Sequence, residues 1–308
     1  MTKQPFRKAA LTPQSLLEKL KSQGLIICND QLALRCMAYV GHFRLKGYWF
    51  HLQDPSTKQF LPGTRFEEIY DHYECDREIR AVVMESAERL EVAVRSVICN
   101  FLSLKYSPHW FLDSRIFAPR GRSGVGQVLS KIEAEIERAG SRRYIQAYYR
   151  RYDDPYLPPS WAMSECVTLG TWSKIFAMLR DPADRRVIAS KFGIKQVEVF
   201  ESWLHTLTVL RNMAAHHDRF INVRIGVSPT NLKLKRIKFV DNKSVYASLT
   251  VMHVLLSAIG FDEPFKARLA ALEVRYGSFH FQRMGFPDGW QVNETGWRVS
   301  QSPTNNSR

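Results

Sequence analysis

The chain has 308 residues, 45% of them hydrophobic, and a formal net charge of +14. That length supports a substantial core, and that apolar content excludes a disordered polyelectrolyte. The positive excess predicts attraction to polyanions that weakens as salt rises.

In chain order, "LTPQSLLEKLKSQGLII" predicts a helix with Thr12 as N-cap, Pro13 at its first position and Gly24 as its stop. A second helix follows around "DQLALRCMAYVGHF", with Asp30 as cap. After a turn at "DPSTK", Thr64 and Glu67 have capping-box spacing. From Phe66 to Leu104, apolar residues recur at helical spacing, from Ile69 through Ile79, Leu90 and Ile98 to Leu102. A segment this long is expected to kink or to be two abutting helices. Glu85–Arg89 and Glu91–Arg95 are placed to pair at i,i+4 on its flank. "SPHWFLDSRIFAPRGRSGVG" interrupts, and its "GRSGVG" lacks the ending of a phosphate loop. "VLSKIEAEIERAGS" and "RRYIQAYYRRY" read as helices. Further helices are expected over Trp161–Leu179, Pro182–Phe192, Lys195–Ala215, Ser244–Ile259 and Pro264–Tyr276. "NLKLKRIKFV" alternates with period two and reads as a hairpin strand. The class is therefore all-α, with minor β at most.

No apolar run approaches the ~20 residues that span a bilayer. "VMHVLLSAIGF" (Val251–Phe261) is the longest candidate and reads as a core helix. No apolar segment follows the charges of the first residues, so no secretory leader is expected. The five cysteines are scattered and never in C-x-x-C spacing. Reduced thiols in a cytoplasmic protein are expected, with no metal and no cofactor.

"LRNMAAHHDRF" (Leu210–Phe220) carries Arg211, Asn212, His216 and His217 near the end of an apolar helix. Arginine followed by histidine at such spacing also occurs elsewhere, as at Arg275/His280, so context has to decide. The chemistry suits RNA cleavage. An imidazole titrates near pH ~6.5 and can take or give a proton. A guanidinium can hold a phosphate and stabilise a phosphorane. RNA brings its own 2′-OH nucleophile. On an ideal helix Arg211 and His216 lie about 140° apart, whereas Asn212 and His216 share a face. One chain therefore makes a poor site, and two copies about a two-fold axis a better one. The competing readings are a satisfied buried network or a helix C-terminal cap built by the histidines.

"RNMAAHHDRFIN" resembles the RN-x-x-AHH-x-R-x-x-N signature of the Abi-like (abortive infection, AbiD/AbiF-type) proteins, a branch of the HEPN superfamily. "LLEKLKSQGLII", "YVGHFRLKGYWF", "FEEIYDHYECDREIRAVVMESAERLEVAVRSVI", "LPPSWAMSECVTLGTWSKIF" and "WLHTLTVLRN" agree in order, over roughly residues 10–225. Ile221 stands where an aromatic is common in the family. The resemblance implies a HEPN-type helical bundle, with additional N- and C-terminal helical segments expected from the periodicity. The chain is expected to divide into an N-terminal helical region (1–65), a HEPN-like helical core carrying the R-x4-H pair (66–225), a C-terminal helical extension (226–299), which the resemblance does not reach, and a polar, disordered tail (300–308). The resemblance places the R-x4-H pair in that core. It also implies a metal-independent endoribonuclease of a phage-defence or toxin system. Its catalytic residues would be Arg211, His216 and Asn212 in a homodimer, and a structured small RNA is an implied partner. Glu88 and Arg95 fall in the family's ER-x-E-x-x-x-R pattern and, with His217, are candidate supporting residues.

Two basic stretches are candidate RNA tracks. One is Arg142, Arg143, Arg150 and Arg151 interleaved with tyrosines; the other is Lys233, Lys235, Arg236 and Lys238. Two other functions compete with the nuclease. One is a non-catalytic RNA-binding module, and the other is a purely structural dimerisation helix.

Overall fold

Thr12 accepts from the Ser15 N–H at 3.1 Å and opens helix α1 (Pro13–Ser22). The helix closes where Gly24 turns left-handed at φ +85, so that the Leu25 N–H reaches the Leu20 carbonyl at 3.1 Å. Both ends match the sequence expectation. The computed structural model describes residue 5, residues 9–119, 124–233 and 237–292, and residue 297. Lys235, Arg236, part of the "GRSGVG" loop and the expected tail lie outside those residues.

Helix α2 (Asp30–Cys36) is capped by Asn29, whose side chain accepts from Leu32 N–H at 2.9 Å. The expected cap, Asp30, is instead the first helical residue and pairs with Lys21 at 2.6 Å. A π-turn over Met37–Gly41 leads into α3 (His42–Trp49). The expected capping box at Thr64 does not form. Arg65 holds the N-cap position of the next helix, and Thr64 donates to the Leu61 carbonyl. Glu67 accepts from the backbone of Cys28 and Asn29 at 2.9 and 3.0 Å. Its carboxylate serves the start of α2 because that neighbour presents two unpaired N–H groups.

Helix α4 (Phe66–Lys105) runs 40 residues without the expected break, about 60 Å at helical rise. It contains no proline or glycine, the usual causes of a kink, and its buried face passes through two cores. Phe66 and Ile69 join Leu17, Leu45 and Trp49 in a small N-terminal core. Ile79 to Leu102 join the main core. The expected i,i+4 pairs on its flank are not made. Glu85 takes Arg268 and Arg95 takes Glu165, while Arg89 lies over the Phe261 ring at 4.7 Å. Helices packed on that flank bring partners closer than the next turn can.

The main core is completed by α5 (Val125–Arg138), α6 (Arg143–Tyr149), α7 (Ser160–Ser164), α8 (Leu169–Met178), α9 (Pro182–Ser190) and α10 (Val197–Ala215). Helices α11 (Val245–Ala258), α12 (Asp262–Tyr276) and α13 (Ser278–Gln282) pack back on α4 and α10 within the same core. The helix expected over Trp161–Leu179 is two, α7 and α8, because Thr168 adopts an extended N-cap backbone. In "NLKLKRIKFV" the flanks meet through reciprocal Leu232–Ile237 hydrogen bonds of 3.0 Å. Residues 234–236 between them are not described, and no strand occurs among the described residues. The fold is all-α. No helix among those residues is long and apolar enough to cross a membrane. Helix α11 is buried from Ala247 to Leu256, as its composition predicts.

His253 on α11 stacks on Trp297 with centroids 4.4 Å apart. Burial lowers its pKa to about 4, and burial likewise lowers His280 to about 4. The unfolded chain takes these protons near pH 6.5 and the folded chain only near pH 4. Stability is therefore intact above pH 6.5 and lost as pH falls toward 4, by at most about 3 kcal/mol per ring. Thermal melts between pH 7 and 4.5 should show the loss, and His253→Leu should flatten the slope.

Candidate functional site

Helix α10 buries Phe200, Trp203, Leu204, Leu207, Leu210 and Ala214. That leaves Asn212 exposed and the Arg211 side chain 34% exposed. His216 and His217 are exposed at its end. The four polar groups therefore do not form a buried network.

The helix closes through its backbone. The His217 N–H reaches the Ala214 carbonyl at 3.2 Å and the Asp218 N–H reaches Met213 at 2.8 Å, the bonding of a Schellman motif. The left-handed residue that this closure demands is His217, at φ +60. At the end of α1 the equivalent residue is Gly24. A non-glycine there costs roughly 1–2 kcal/mol. Arg44 helps hold the turn, donating to the His217 carbonyl at 2.7 Å.

Beyond the turn, Asp76 of α4 fixes the chain. Its carboxylate has no exposed surface. It accepts from the Phe220 and Ile221 N–H groups at 2.8 and 2.9 Å, from the Tyr48 hydroxyl at 2.7 Å, and from Arg80. Burial pushes the Asp76 carboxyl up, and the Arg80 guanidinium pulls it back. Arg80 also donates to the Asp218 carbonyl at 3.3 Å. Arg219 lies over the rings of Tyr48 and Phe50, and Asn222 accepts from Arg283 at 3.1 Å. The signature thus splits. Its second half holds the loop, and its first half faces outward.

Arg211 and Asn212 open onto a groove of about 350 Å³. Its other walls are Lys131, Glu135 and Arg138 of α5 and the start of α8 at Thr168–Gly170. Glu135 is occupied, accepting from the Thr168 N–H at 2.9 Å and from the Thr168 and Thr171 hydroxyls. Lys131 also stands 3.7 Å from Glu135 Oε1, so the groove sets three cations against one carboxylate, an excess that suits an anion. Glu91 stands 3.7 Å from Arg211 Nε, while Glu88 of the same pattern is exposed and Arg95 is engaged by Glu165. His216 lines neither this groove nor the next. His217 lines a second groove of about 590 Å³ with Tyr39, Arg44, Arg77 and Arg80. Within one chain, then, the Arg211 groove does not include His216 among the described residues.

Of the basic stretches, Arg142 donates to the Tyr144 hydroxyl at 2.8 Å and to the Glu165 carbonyl. Arg143, Arg150 and Arg151 are exposed, as are Lys233 and Lys238. Lys131 and Arg138 escaped the sequence reading. Their signal was a polar stripe, Lys131, Glu135 and Arg138 at i, i+4 and i+7, flanking the buried Ile132 and Ile136. Asp76 was missed too, although it interrupts the apolar stripe of the long helix. Among the described residues no group of three or more His, Cys, Asp or Glu side chains is placed to hold a metal ion.

Residues 35–222 match a family model described as Abi-like protein. Neither a curated protein nor a solved structure matches the chain.

Two substitutions test the scaffold. Asp76→Ala leaves Arg80 and two backbone N–H groups facing an empty acceptor position and should cost about 3–5 kcal/mol, read as a lower urea midpoint. His217→Gly relieves the left-handed turn and should gain about 1 kcal/mol, read as a higher melting temperature.

Proposed function

Because the chain belongs to the Abi-like protein family, we propose that it is a HEPN-type endoribonuclease of an abortive-infection phage-defence system, working as a homodimer in the cytoplasm. The observation that carries this reading is the convergence of Arg211 with Lys131 and Arg138 on one groove, near the end of a helix whose C-cap residue, His216, is exposed. Three cations around a small groove suit a phosphodiester. Arg211 holds the scissile phosphate and offsets the charge gained in the phosphorane. Asn212, whose side-chain oxygen accepts from Arg211 at 3.3 Å, steadies the guanidinium.

His216 acts as general base and acid. The 2′-OH loses its proton to one imidazole and attacks phosphorus. The bond to the 5′-oxygen breaks, and that oxygen takes a proton from a second imidazole. The products are a 2′,3′-cyclic phosphate and a 5′-OH, and the nucleophile needs no metal to generate it. Two imidazoles require two copies of the chain. Beside the His217 groove, Tyr39 is 88% and Phe43 is 91% exposed. Apolar rings left this bare mark an interaction surface and support dimerisation next to the helix end.

That His216 does not line the Arg211 groove within one chain favours one other reading, an RNA-binding module without catalysis. It predicts salt-sensitive binding and no cyclic phosphate.

Arg211→Ala and His216→Ala proteins that remain folded should lose at least ~100-fold in RNA cleavage. The measurement is cyclic-phosphate product in a chelated, nuclease-free assay, and undiminished cleavage overturns the assignment. Phe43→Glu should shift the protein from dimer to monomer in light scattering and abolish cleavage with its helical content unchanged.

A further inference from the structure

A cleft of about 620 Å³ lies apart from the Arg211 groove, walled by Tyr144, Tyr148, Tyr152, Arg151, Asp154 and Trp161. Its aromatic rings are unusually bare. Of the seven tryptophans in the chain, six are fully buried and Trp161 is 56% exposed. No ring packs against its indole among the described residues. Tyr152 is 55% exposed and tilts against Tyr148 with centroids 5.3 Å apart. The wall also contains His109, whose Nε2 is buried without a hydrogen-bond partner.

The cleft is joined to the Arg211 groove by basic side chains. The groove shares Glu135, Arg138 and Thr168 with a small hollow that also reaches Arg142. Arg142 in turn donates to Tyr144 and Glu165, both of which line the cleft. Arg151 stands in the cleft itself, and Arg143 and Arg150 are exposed nearby on the same segment.

We propose that this cleft is a nucleobase pocket for single-stranded RNA whose backbone follows Arg138 and Arg142 from the Arg211 groove. The proposal rests on the RNA reading of that groove. Aromatic faces stack on any base, and the arginines alongside take the phosphates. Two acidic groups, Asp154 and Glu165, also line the cleft, so a cationic ligand has to be weighed. Glu165 is already paired with Arg95, and the surrounding arginines repel a cation. Asp154 has no ion-pair partner among the described residues, and an ionised carboxylate is able to accept from N–H donors. Guanine, with adjacent donors on its edge, therefore fits better than uracil.

The test uses the full chain and 2′-O-methyl RNA hexamers, UUGUUU and UUUUUU, which carry no free 2′-OH and cannot be cut. UUGUUU should quench the fluorescence of Trp161, read against a Trp161→Phe protein. Fluorescence anisotropy should show Trp161→Ala and Tyr152→Ala weakening UUGUUU binding by about 5-fold or more each. Asp154→Asn should narrow the gap between the two hexamers. Unchanged affinity in Trp161→Ala, or quenching by a trimethyllysine peptide and not by RNA, overturns the pocket. The hexamer reports binding alone. An active nuclease indifferent to Trp161 loses the pocket and keeps the cleavage site, whereas a quenched protein that cuts no RNA keeps the pocket and loses the nuclease.

Discussion

Asp76 is an ionisable group with no exposed surface, gathering donors from three parts of the chain. A buried carboxylate is costly unless every lone pair finds a partner. Tyr48 of α3, Arg80 of α4 and the Phe220 and Ile221 backbone after α10 must therefore all be in position together. This single requirement locks the N-terminal helices, the long α4 and the segment following α10 into one arrangement. Arg219 over Tyr48 and Phe50, and Arg44 on the His217 carbonyl, add to the same junction. A segment pinned so firmly can carry exposed polar side chains in fixed positions without ordering them at the moment of binding.

The strain at the end of α10 belongs to this picture. The chain has glycines at several left-handed turns, including Gly24, Gly193 and Gly260, yet it uses His217 where α10 closes. A histidine there is tolerated because the Asp76 junction and Arg44 hold the turn from outside. The same turn leaves His216 exposed and sets His217 in the groove that bare Tyr39 also lines. The positive charge is likewise not spread evenly. Lys131, Arg138 and Arg211 converge on one groove, and Arg142 and Arg151 continue from it to the aromatic cleft.

Much of this was legible from residues alone. Periodicity placed α4, α9, α10, α11 and α12 to within a few residues, and Thr12 and Gly24 marked the bounds of α1, because caps and amphipathic stripes act over one or two turns. The "RNMAAHH" stretch was correctly set near the end of α10 for the same reason. Several errors came where partners lie far along the chain. Glu67 caps α2 from 38 and 39 residues away. Glu85 finds Arg268 in place of Arg89, and α4 runs unbroken because two cores support it.

By itself, then, the sequence determined most of the helices, both ends of α1, the basic character and the family signature, since each depends on neighbours within a few residues. Only the tertiary structure decided which signature residues hold the fold and which remain free. It joined Asp76 to residues 144 and 145 positions away and brought Lys131 and Arg138 to the Arg211 groove. Burial and charge pairing act through space, and no local pattern along the chain encodes which distant group will arrive.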